Sequence, residues 1–397
     1  MELLSPAGNK EKLSYAYAYG ADAAYIGIKN FSLRAMADNF DTEESDEIAR
    51  IKGSKKLYCA LNIFFHNNEI TELEKNLEAV GKYPFDAFIV SDLGIVPLLR
   101  KYFPHTELHL STQANCTNAE AAKMYRDLGF TRIIPGRELS LTEIAEIKNK
   151  VPELEVECFV HGAMCLAYSG RCFLSAWMTD RSANSGSCTH SCRWQYRLLE
   201  EEQRPGEYFP VIEGDKFTTI LSSKDLCMID YLNDLKNAGI DSLKIEGRMK
   251  SLYYTAVVTR AYRKMLDSLK GVEVSHLDEY RSDIFKVSHR EFTTGFYFGK
   301  KDIEVPTEIS YKREYLFLGT VGKETATPGI YELNTKNQIK TGEYIEYIGP
   351  DIPALGEASF MLYDENMDKI EKADHGKVQF LQTECRVEPG YIIRKPI

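Results

Sequence analysis

Eight short apolar runs recur along the first 250 residues, and their alternation with helix-like segments is the feature that most restricts the fold. Each run is rich in aliphatic, β-branched or aromatic residues and has the length of a buried strand. The runs are residues 2–5, 23–28, 57–65, 87–91, 107–111, 132–135, 153–160 and 242–246. The segments after the fourth, fifth and sixth runs, LGIVPLLRKYF, NAEAAKMYRDLG and SLTEIAEIKNKV, have helical spacing. Alternating strands and helices predict a parallel sheet with crossover helices.

Eight repeats favour an α/β fold of the closed (β/α)8 type, a TIM-like barrel, over an open doubly wound sheet. No GxGxxG motif follows the first run, so the usual sequence support for a dinucleotide-binding open sheet is missing. From about residue 300 the pattern changes to short alternating runs separated by turn residues, such as YLFLGTV and EYIEYIG. We therefore predict a barrel domain over residues 1–300, with a cysteine-rich insertion at 161–241. A small C-terminal all-β domain, similar to a β-barrel, is predicted over residues 301–397.

Composition narrows the class of protein. The chain has 397 residues, of which 44% are hydrophobic and 27% charged, which suits one large core and one small core. The N-terminus lacks the basic and apolar parts of a signal peptide, and no run of eighteen apolar residues occurs. We therefore expect a cytoplasmic protein without a membrane partner. The net charge of −10 argues against nucleic-acid binding over the whole surface, but it leaves room for a local basic channel.

Polar residues follow most of the apolar runs. In a (β/α)8 barrel the carboxyl ends of the strands meet at one end, which holds the active site and is called the mouth below. The residues expected there are Asn62, Ser91, Asp92, residues 111–115 including Gln113, Arg137, Glu138, His161, Glu246 and Arg248. A strand-end cap is an equally good explanation for any single one of them. Their recurrence at most of the strands is what predicts a functional site.

Eight of the nine cysteines fall into two groups, and the ninth, Cys385, lies in the C-terminal region. Cys59, Cys116 and Cys158 lie in or beside apolar runs, where a buried thiol acts as a small hydrophobic residue. Five others, called the loop cysteines below, occupy the long seventh connection: Cys165, Cys172, Cys188, Cys192 and Cys227. They contain neither the paired CxxC knuckles of a structural zinc site nor a CxxxCxxC motif. An iron–sulfur cluster, a zinc ion and a nucleophilic cysteine, with Cys165 four residues after His161, all remain open.

Several longer stretches resemble a known family. FVHGAMCLAYSGRCFLS, RSANSGSCTHSCRW, SSKDLC and SLKIEGRMKS, together with LLSPAG and STQAN, resemble the collagenase-like peptidase family U32 over essentially the whole chain. The family name implies a peptidase with a Cys–His or metal-dependent site. Other members, which the length and IEGRMKS of this chain resemble most, are bacterial proteins that hydroxylate tRNA. The resemblance to those members implies oxygen-independent, prephenate-dependent formation of 5-hydroxyuridine at the wobble position of the tRNA anticodon loop, with a 4Fe–4S cluster.

The resemblance also implies roles for particular residues. The implied cluster ligands are Cys165, Cys172, Cys188 and Cys227, with Cys192 as a nearby spare. We expect His161 and Glu246 to be catalytic, as an acid or base and its orienting partner. The residues expected to bind RNA phosphates or the carboxylates of prephenate are Asn62, Gln113, Arg171, Arg181, Lys244 and Arg248. An electron-transfer or accessory protein is a further expected partner.

Overall fold

The computed structural model describes residues 1–28, 31–32, 44–165, 167–172, 174–189, 191–193, 212–214, 217–219, 224–299 and 311–397. They form two compact units. The first contains the described residues of 1–17, 21–250 and 289–311, and the second contains residues 18–20, 251–288 and 312–397. None of the helices in these ranges combines the length and the apolar content needed to cross a membrane.

The first unit is built on a closed sheet of parallel strands. The strands of the whole unit are β1 (Glu2–Pro6), β2 (Ala23–Gly27), β3 (Lys56–Leu61), β4 (Ala87–Val90), β5 (Glu107–Leu110), β6 (Arg132–Ile133), β7 (Glu155–Ala163), β8 (Ile212–Gly214), β9 (Phe217–Thr219), β10 (Asp225–Cys227), β11 (Ser242–Ile245) and β12 (Phe292–Thr293). Strands β1 to β7 pair in sequence order, β11 pairs in parallel with β1, and β11 also pairs with β7. This closes an eight-stranded barrel. The predicted TIM-like barrel is confirmed, and each of the eight predicted runs overlaps one barrel strand.

The first unit contains eight α-helices within the described residues. They are α1 (Lys10–Ala18), α2 (Ser45–Lys52), α3 (Asn67–Val80), α4 (Val96–Tyr102), α5 (Ala119–Asp127), α6 (Leu141–Lys150), α7 (Leu174–Thr179) and α8 (Leu232–Asn237). Of these, α4, α5 and α6 lie in the three segments whose spacing predicts helices. Local sequence fixes several of their starts. Asn118 caps α5 by accepting a hydrogen bond from the Ala121 amide, and Ser140 and Glu143 form a capping box on α6.

Strand β7 is longer than its neighbours, and its end has a second partner. Its last three residues, His161 to Ala163, pair antiparallel with β10, and β10 pairs in parallel with β12. In this register Cys227 lies opposite His161. The long connection predicted to carry the cysteines therefore returns to the carboxyl end of the strand from which it leaves.

The second unit is a small antiparallel β structure together with helices α9 (Leu252–Leu269) and α10 (Leu277–Ser282). Its strands are β13 (Tyr315–Glu324), β14 (Ile330–Thr335), β15 (Ile339–Lys340), β16 (Ile345–Ile348), β17 (Leu355–Glu357), β18 (Met361–Tyr363), β19 (Lys369–Ile370), β20 (Lys372–Ala373), β21 (Phe380–Gln382) and β22 (Ile392–Pro396). Eight of them form one sheet in the order β17-β16-β22-β13-β14-β21-β18-β19. The predicted all-β character of the C-terminal region is confirmed.

Candidate functional site

His161 lies at the mouth, on the part of β7 that pairs with β10. Its side chain is buried, and its ring lies 5.4 Å from that of Phe292. Burial lowers the pKa of His161 to about 3, and the positive charges of His289 and Lys250 act in the same direction against the carboxylate of Asp225. The imidazole is therefore neutral at physiological pH.

Asp225 and Arg290 form a buried ion pair beside His161. Arg290 donates from Nε at 2.9 Å and from Nη2 at 2.6 Å to Oδ1 of Asp225, and its amide donates to Oδ2 at 3.1 Å. Burial opposes ionisation of Asp225, but the charges of Arg290 and Lys250 prevail and lower the pKa of that carboxyl. Sequence analysis missed this pair. The two residues are 65 positions apart, and neither closes an apolar run.

Glu246 is held close to His161 through the backbone. Its amide donates to the carbonyl of His161 at 2.9 Å, where β11 and β7 reach the mouth. The Tyr25 hydroxyl donates to the Ile245 carbonyl at 3.0 Å and lies 3.4 Å from Oε2 of Glu246. The structure thus brings together the two residues predicted to be catalytic.

Lys244 lies inside the barrel instead of at the open mouth. Its Nζ is 2.7 Å from Oε1 of Glu157, and only 4% of the residue is exposed. Arg132 bridges Glu157 at 2.9 Å and Glu2 at 2.6 Å. We call these four residues, Glu2, Arg132, Glu157 and Lys244, the interior ion layer. The ammonium that was predicted to bind substrate is paired with a buried carboxylate.

Arg248 is buried at the mouth against two glycines. A Cβ atom at Gly27 would lie 1.9 Å from its Nη1, and a Cβ atom at Gly8 would lie 2.2 Å from its carbonyl oxygen. Its guanidinium is 5.9 Å from the centre of the Tyr25 ring. A side chain at Gly27 would collide with this guanidinium and one at Gly8 with the Arg248 backbone, so the arginine requires glycine at both positions.

Gln113 and Arg171 also meet at the mouth. Nε of Arg171 donates to the Gln113 carbonyl at 2.9 Å, and its guanidinium lies 5.1 Å from the Phe64 ring. Gln113 is 7% exposed, and its Oε1 has no hydrogen-bond partner among the described residues. A buried acceptor without a partner is unfavourable in a folded protein unless a ligand or water completes it.

Three further residues fasten the long connection to the mouth. Oγ of Ser169 lies 2.8 Å from Oδ1 of Asn115 and 2.7 Å from Oε2 of Glu138, and the Ser169 amide also donates to Glu138. Ser169 and Asn115 both have left-handed backbone conformations, with φ of 46° and 63°. We call Asn115, Glu138 and Ser169 the latch. Sequence analysis placed Glu138 and Asn115 at the mouth, but it had no signal for their partner in the insertion.

Arg137 adds a second cation that sequence analysis placed at the mouth without a role. Its guanidinium stacks 3.8 Å from the centre of the Phe159 ring, and Nη1 donates to the Ala163 carbonyl at 3.0 Å. Its Nε is buried and has no partner within the described ranges. The remaining two residues that were predicted to bind substrate are Arg181 and Asn62. Arg181 is exposed. The carbonyl of Asn62 accepts a hydrogen bond from Ser91 Oγ at 3.2 Å.

The two groups of cysteines differ in exposure. Cys59, Cys116 and Cys158 are buried, and burial raises the pKa of each thiol, that of Cys116 to about 11. The loop cysteines are exposed or partly exposed, and none of the nine cysteines forms a disulfide. In the part of the chain that the structure describes, no three His, Cys, Asp or Glu side chains are close enough together to hold a metal ion.

The chain as a whole matches two family models. Residues 8–306 match peptidase family U32, and residues 313–394 match the peptidase family U32 C-terminal domain. The two models thus cover most of the barrel, with the polar and charged side chains at its mouth, and most of the antiparallel β strands of the second unit. The chain belongs to peptidase family U32.

Proteins with sequences similar to this chain have names that indicate different activities. The chain is 37% identical to tRNA hydroxylation protein P1 of Bacillus subtilis (strain 168), over 99% of this chain and 94% of that protein. It is 36% identical to tRNA hydroxylation protein P of Escherichia coli (strain K12), over 93% and 89% of the two chains. It is 28% identical to a protein named collagenase from Porphyromonas gingivalis, over 98% and 96%.

Proposed function

We propose that this protein is an enzyme that hydroxylates tRNA, forming 5-hydroxyuridine at the wobble position of the anticodon loop. In this proposal the reaction needs no oxygen, uses prephenate as the small-molecule substrate and depends on a 4Fe–4S cluster. One observation carries the proposal: the similarity to the two tRNA hydroxylation proteins extends over both units of the chain. An anticodon loop presents unstacked bases, so that little energy is needed to bring a uridine into a mouth of this kind.

Cys165, Cys172, Cys188 and Cys227 are the residues proposed to hold the cluster. Their donor chemistry fits it, because thiolates are the usual protein ligands of 4Fe–4S clusters and these thiols are accessible whereas those of the barrel strands are buried. The segments that carry them are tied to each other and to the mouth. The Cys172 amide donates to Oδ1 of Asn184 at 3.2 Å, and Cys227 pairs with His161. When bound, the cluster would supply one-electron transfer at the mouth, and an electron-transfer protein is the proposed partner.

The other residues of the mouth bind and orient in this proposal. Arg248 and Gln113 bind polar groups of the substrates, because the first is a buried guanidinium and the second has a buried acceptor to be completed. Arg171 and Arg181 contact RNA phosphates at the exposed rim. His161, neutral at physiological pH, accepts or donates a hydrogen bond at its ring nitrogens, and Glu246 lies beside it.

A peptidase is the alternative, and the similarity to a collagenase from Porphyromonas gingivalis favours it. It would use Cys165, which is exposed, with His161 as its base. A cysteine nucleophile of this type is activated as a thiolate beside a positively charged imidazole. Burial holds the pKa of His161 near 3 and so disfavours that charged form. The local electrostatics therefore disfavour a peptidase that uses this Cys–His pair.

The test is to measure iron and acid-labile sulfide in protein purified without oxygen, together with the nucleosides of tRNA from cells that express each variant. Wild type is expected to contain about four irons per chain. Cys165→Ala and Cys227→Ala are expected to lose the iron and the 5-hydroxyuridine. Cys385→Ala, a partly exposed thiol of the second unit, is the matched control and should retain both. Iron-free wild type, or unmodified tRNA from cells with the wild-type protein, would overturn the proposal.

A further inference from the structure

Two aromatic side chains project from the connection between β7 and β10. Trp177, on α7, is 79% exposed, and Tyr168 is 54% exposed. Trp177 is the most exposed large hydrophobic side chain of the described residues. Single exposed hydrophobic side chains are common on protein surfaces, so the charges and contacts around these two rings decide what they indicate.

The charge of this connection is opposite to that of the chain. Residues 161–193 contain three arginines, Arg171, Arg181 and Arg193, and a single acidic residue, Asp180. With histidines neutral, the segment therefore carries +2, whereas the whole chain carries −10. A cationic segment on an acidic protein attracts a polyanion to that place and not to the rest of the surface.

Local hydrogen bonds keep the backbone that carries each exposed aromatic side chain close to the backbone of an exposed arginine. Asp180 follows α7 in a left-handed conformation, with φ of 55°, and Ser175 Oγ donates to the Arg181 carbonyl at 2.7 Å. Arg181 is thereby folded back beside the helix that carries Trp177. Tyr168 and Arg171 share one turn, in which the Arg171 amide donates to the Tyr168 carbonyl at 2.9 Å.

The same turn is fixed to the mouth. Arg171 reaches the Gln113 carbonyl, and Ser169, between Tyr168 and Arg171, belongs to the latch. An aromatic–arginine pair is thus held at the edge of the site where the reacting base is proposed to enter. The second pair, Trp177 and Arg181, is a few residues further along the same connection.

We propose that Tyr168, Arg171, Trp177 and Arg181 form a stacking platform for single-stranded RNA, which holds bases that neighbour the base presented to the mouth. Bases stack on exposed aromatic rings without regard to sequence, and arginines beside the rings contact the phosphates. This combination matches RNA better than a protein partner, for which an aromatic contact alone would suffice. The inference rests on the proposed tRNA substrate and assigns it a binding surface.

The experiment uses the holoprotein and a synthetic anticodon stem–loop RNA, purified and mixed without oxygen. Trp177 and Trp194 are the two tryptophans of the chain, so Trp194→Phe leaves Trp177 as the single indole reporter. Stacking of a base is expected to quench its fluorescence on titration with the RNA. Trp177→Ala should weaken RNA binding, measured by anisotropy of labelled RNA, roughly 5- to 150-fold. Trp177→Phe, which keeps a ring, should restore most of the affinity.

Tyr344→Ala removes a half-exposed aromatic side chain of the second unit and is the matched control, with no expected change in RNA affinity. Unchanged affinity of Trp177→Ala, or unquenched Trp177 at saturating RNA, would overturn the platform. Hydroxylation of tRNA in cells distinguishes failure of the platform from failure of the proposed function. If wild type modifies tRNA but Trp177 is indifferent to RNA, the platform is wrong and the proposed function remains. If wild type neither binds the RNA nor modifies tRNA, both are wrong.

Discussion

The interior ion layer and the part of the mouth around Arg171 and Gln113 use polar side chains in opposite ways. In the interior ion layer, Lys244 and Arg132 contact Glu157 at 2.7 and 2.9 Å. At the mouth, Arg171 donates to the Gln113 carbonyl at 2.9 Å and lies against the Phe64 ring, and Gln113 has a buried oxygen without a partner among the described residues. Paired charges in the interior stabilise the barrel, whereas incompletely satisfied groups at the mouth are suited to bind a ligand.

The largest expected effect concerns the interior ion layer. Glu157→Gln leaves Arg132 and Lys244 buried next to a neutral amide, and we expect it to reduce the free energy of unfolding by about 3–5 kcal/mol. Urea denaturation of the two proteins measures the difference. Glu120→Gln is the matched control, because Glu120 pairs with Lys123 at the surface and should change nothing measurable. Equal stability of Glu157→Gln and wild type would show that the layer does not stabilise the barrel.

The pH dependence of stability tests the charge of Glu157 directly, and its expected effect on the free energy of unfolding is somewhat smaller. Burial opposes ionisation of Glu157, but Lys244 and Arg132 outweigh it and lower the pKa of its carboxyl to about 2. The unfolded chain has the usual value of about 4.5, so it binds more protons than the folded chain between these pH values. The stabilisation is therefore complete above pH 4.5 and is lost as the pH falls towards 2, by about 3 kcal/mol in total.

The measurement is the difference in unfolding free energy between wild type and Glu157→Gln at pH 6 and at pH 3. We expect the difference to shrink at the lower pH, because the unfolded wild-type chain then binds a proton at a carboxyl that the folded chain keeps largely ionised. A difference that is constant over this range would mean that packing of the side chain, and not its charge, accounts for the stability.

The comparison also explains what could be predicted from the sequence. The barrel strands are apolar runs followed by amphipathic helices, and this local pattern is sufficient to predict the closed sheet. Lys244 lies in β11 and Glu246 follows its last residue, and the sequence pattern placed both among the site residues. Their positions along the chain decide their surroundings. Lys244 lies deeper in the barrel and contacts Glu157, while Glu246 reaches the mouth. The depth of a residue depends on the register of the sheet, which the apolar pattern does not specify.

Contacts between distant segments could not be predicted from the sequence, for a related reason. Asp225 and Arg290 meet because β10 and β12 extend the end of β7, and nothing in the spacing of their residues indicates this pairing. Ser169 meets Glu138 because the insertion folds back over the turn after β6. Both contacts lie at the mouth, where loops and not repeating strands determine the geometry.

The smallest expected effect tests whether the mouth depends on the latch. Ser169→Ala removes the hydroxyl that contacts Asn115 and Glu138, and we expect the free energy of unfolding to change by only about 1 kcal/mol. The local effect should be larger than the global one, because Ser169 holds a left-handed conformation that is unfavourable for a residue with a Cβ atom. The amides of Arg171 and Cys172, which donate to Tyr168 and Asn184, should therefore exchange with solvent deuterium faster than in wild type. Ser54→Ala, an exposed serine after α2, is the control for the loss of a hydroxyl. If exchange at Arg171 and Cys172 is the same in all three proteins, other contacts hold the turn. The latch would then have no effect on the geometry of the mouth, in contrast to the effect expected of the interior ion layer on the stability of the barrel.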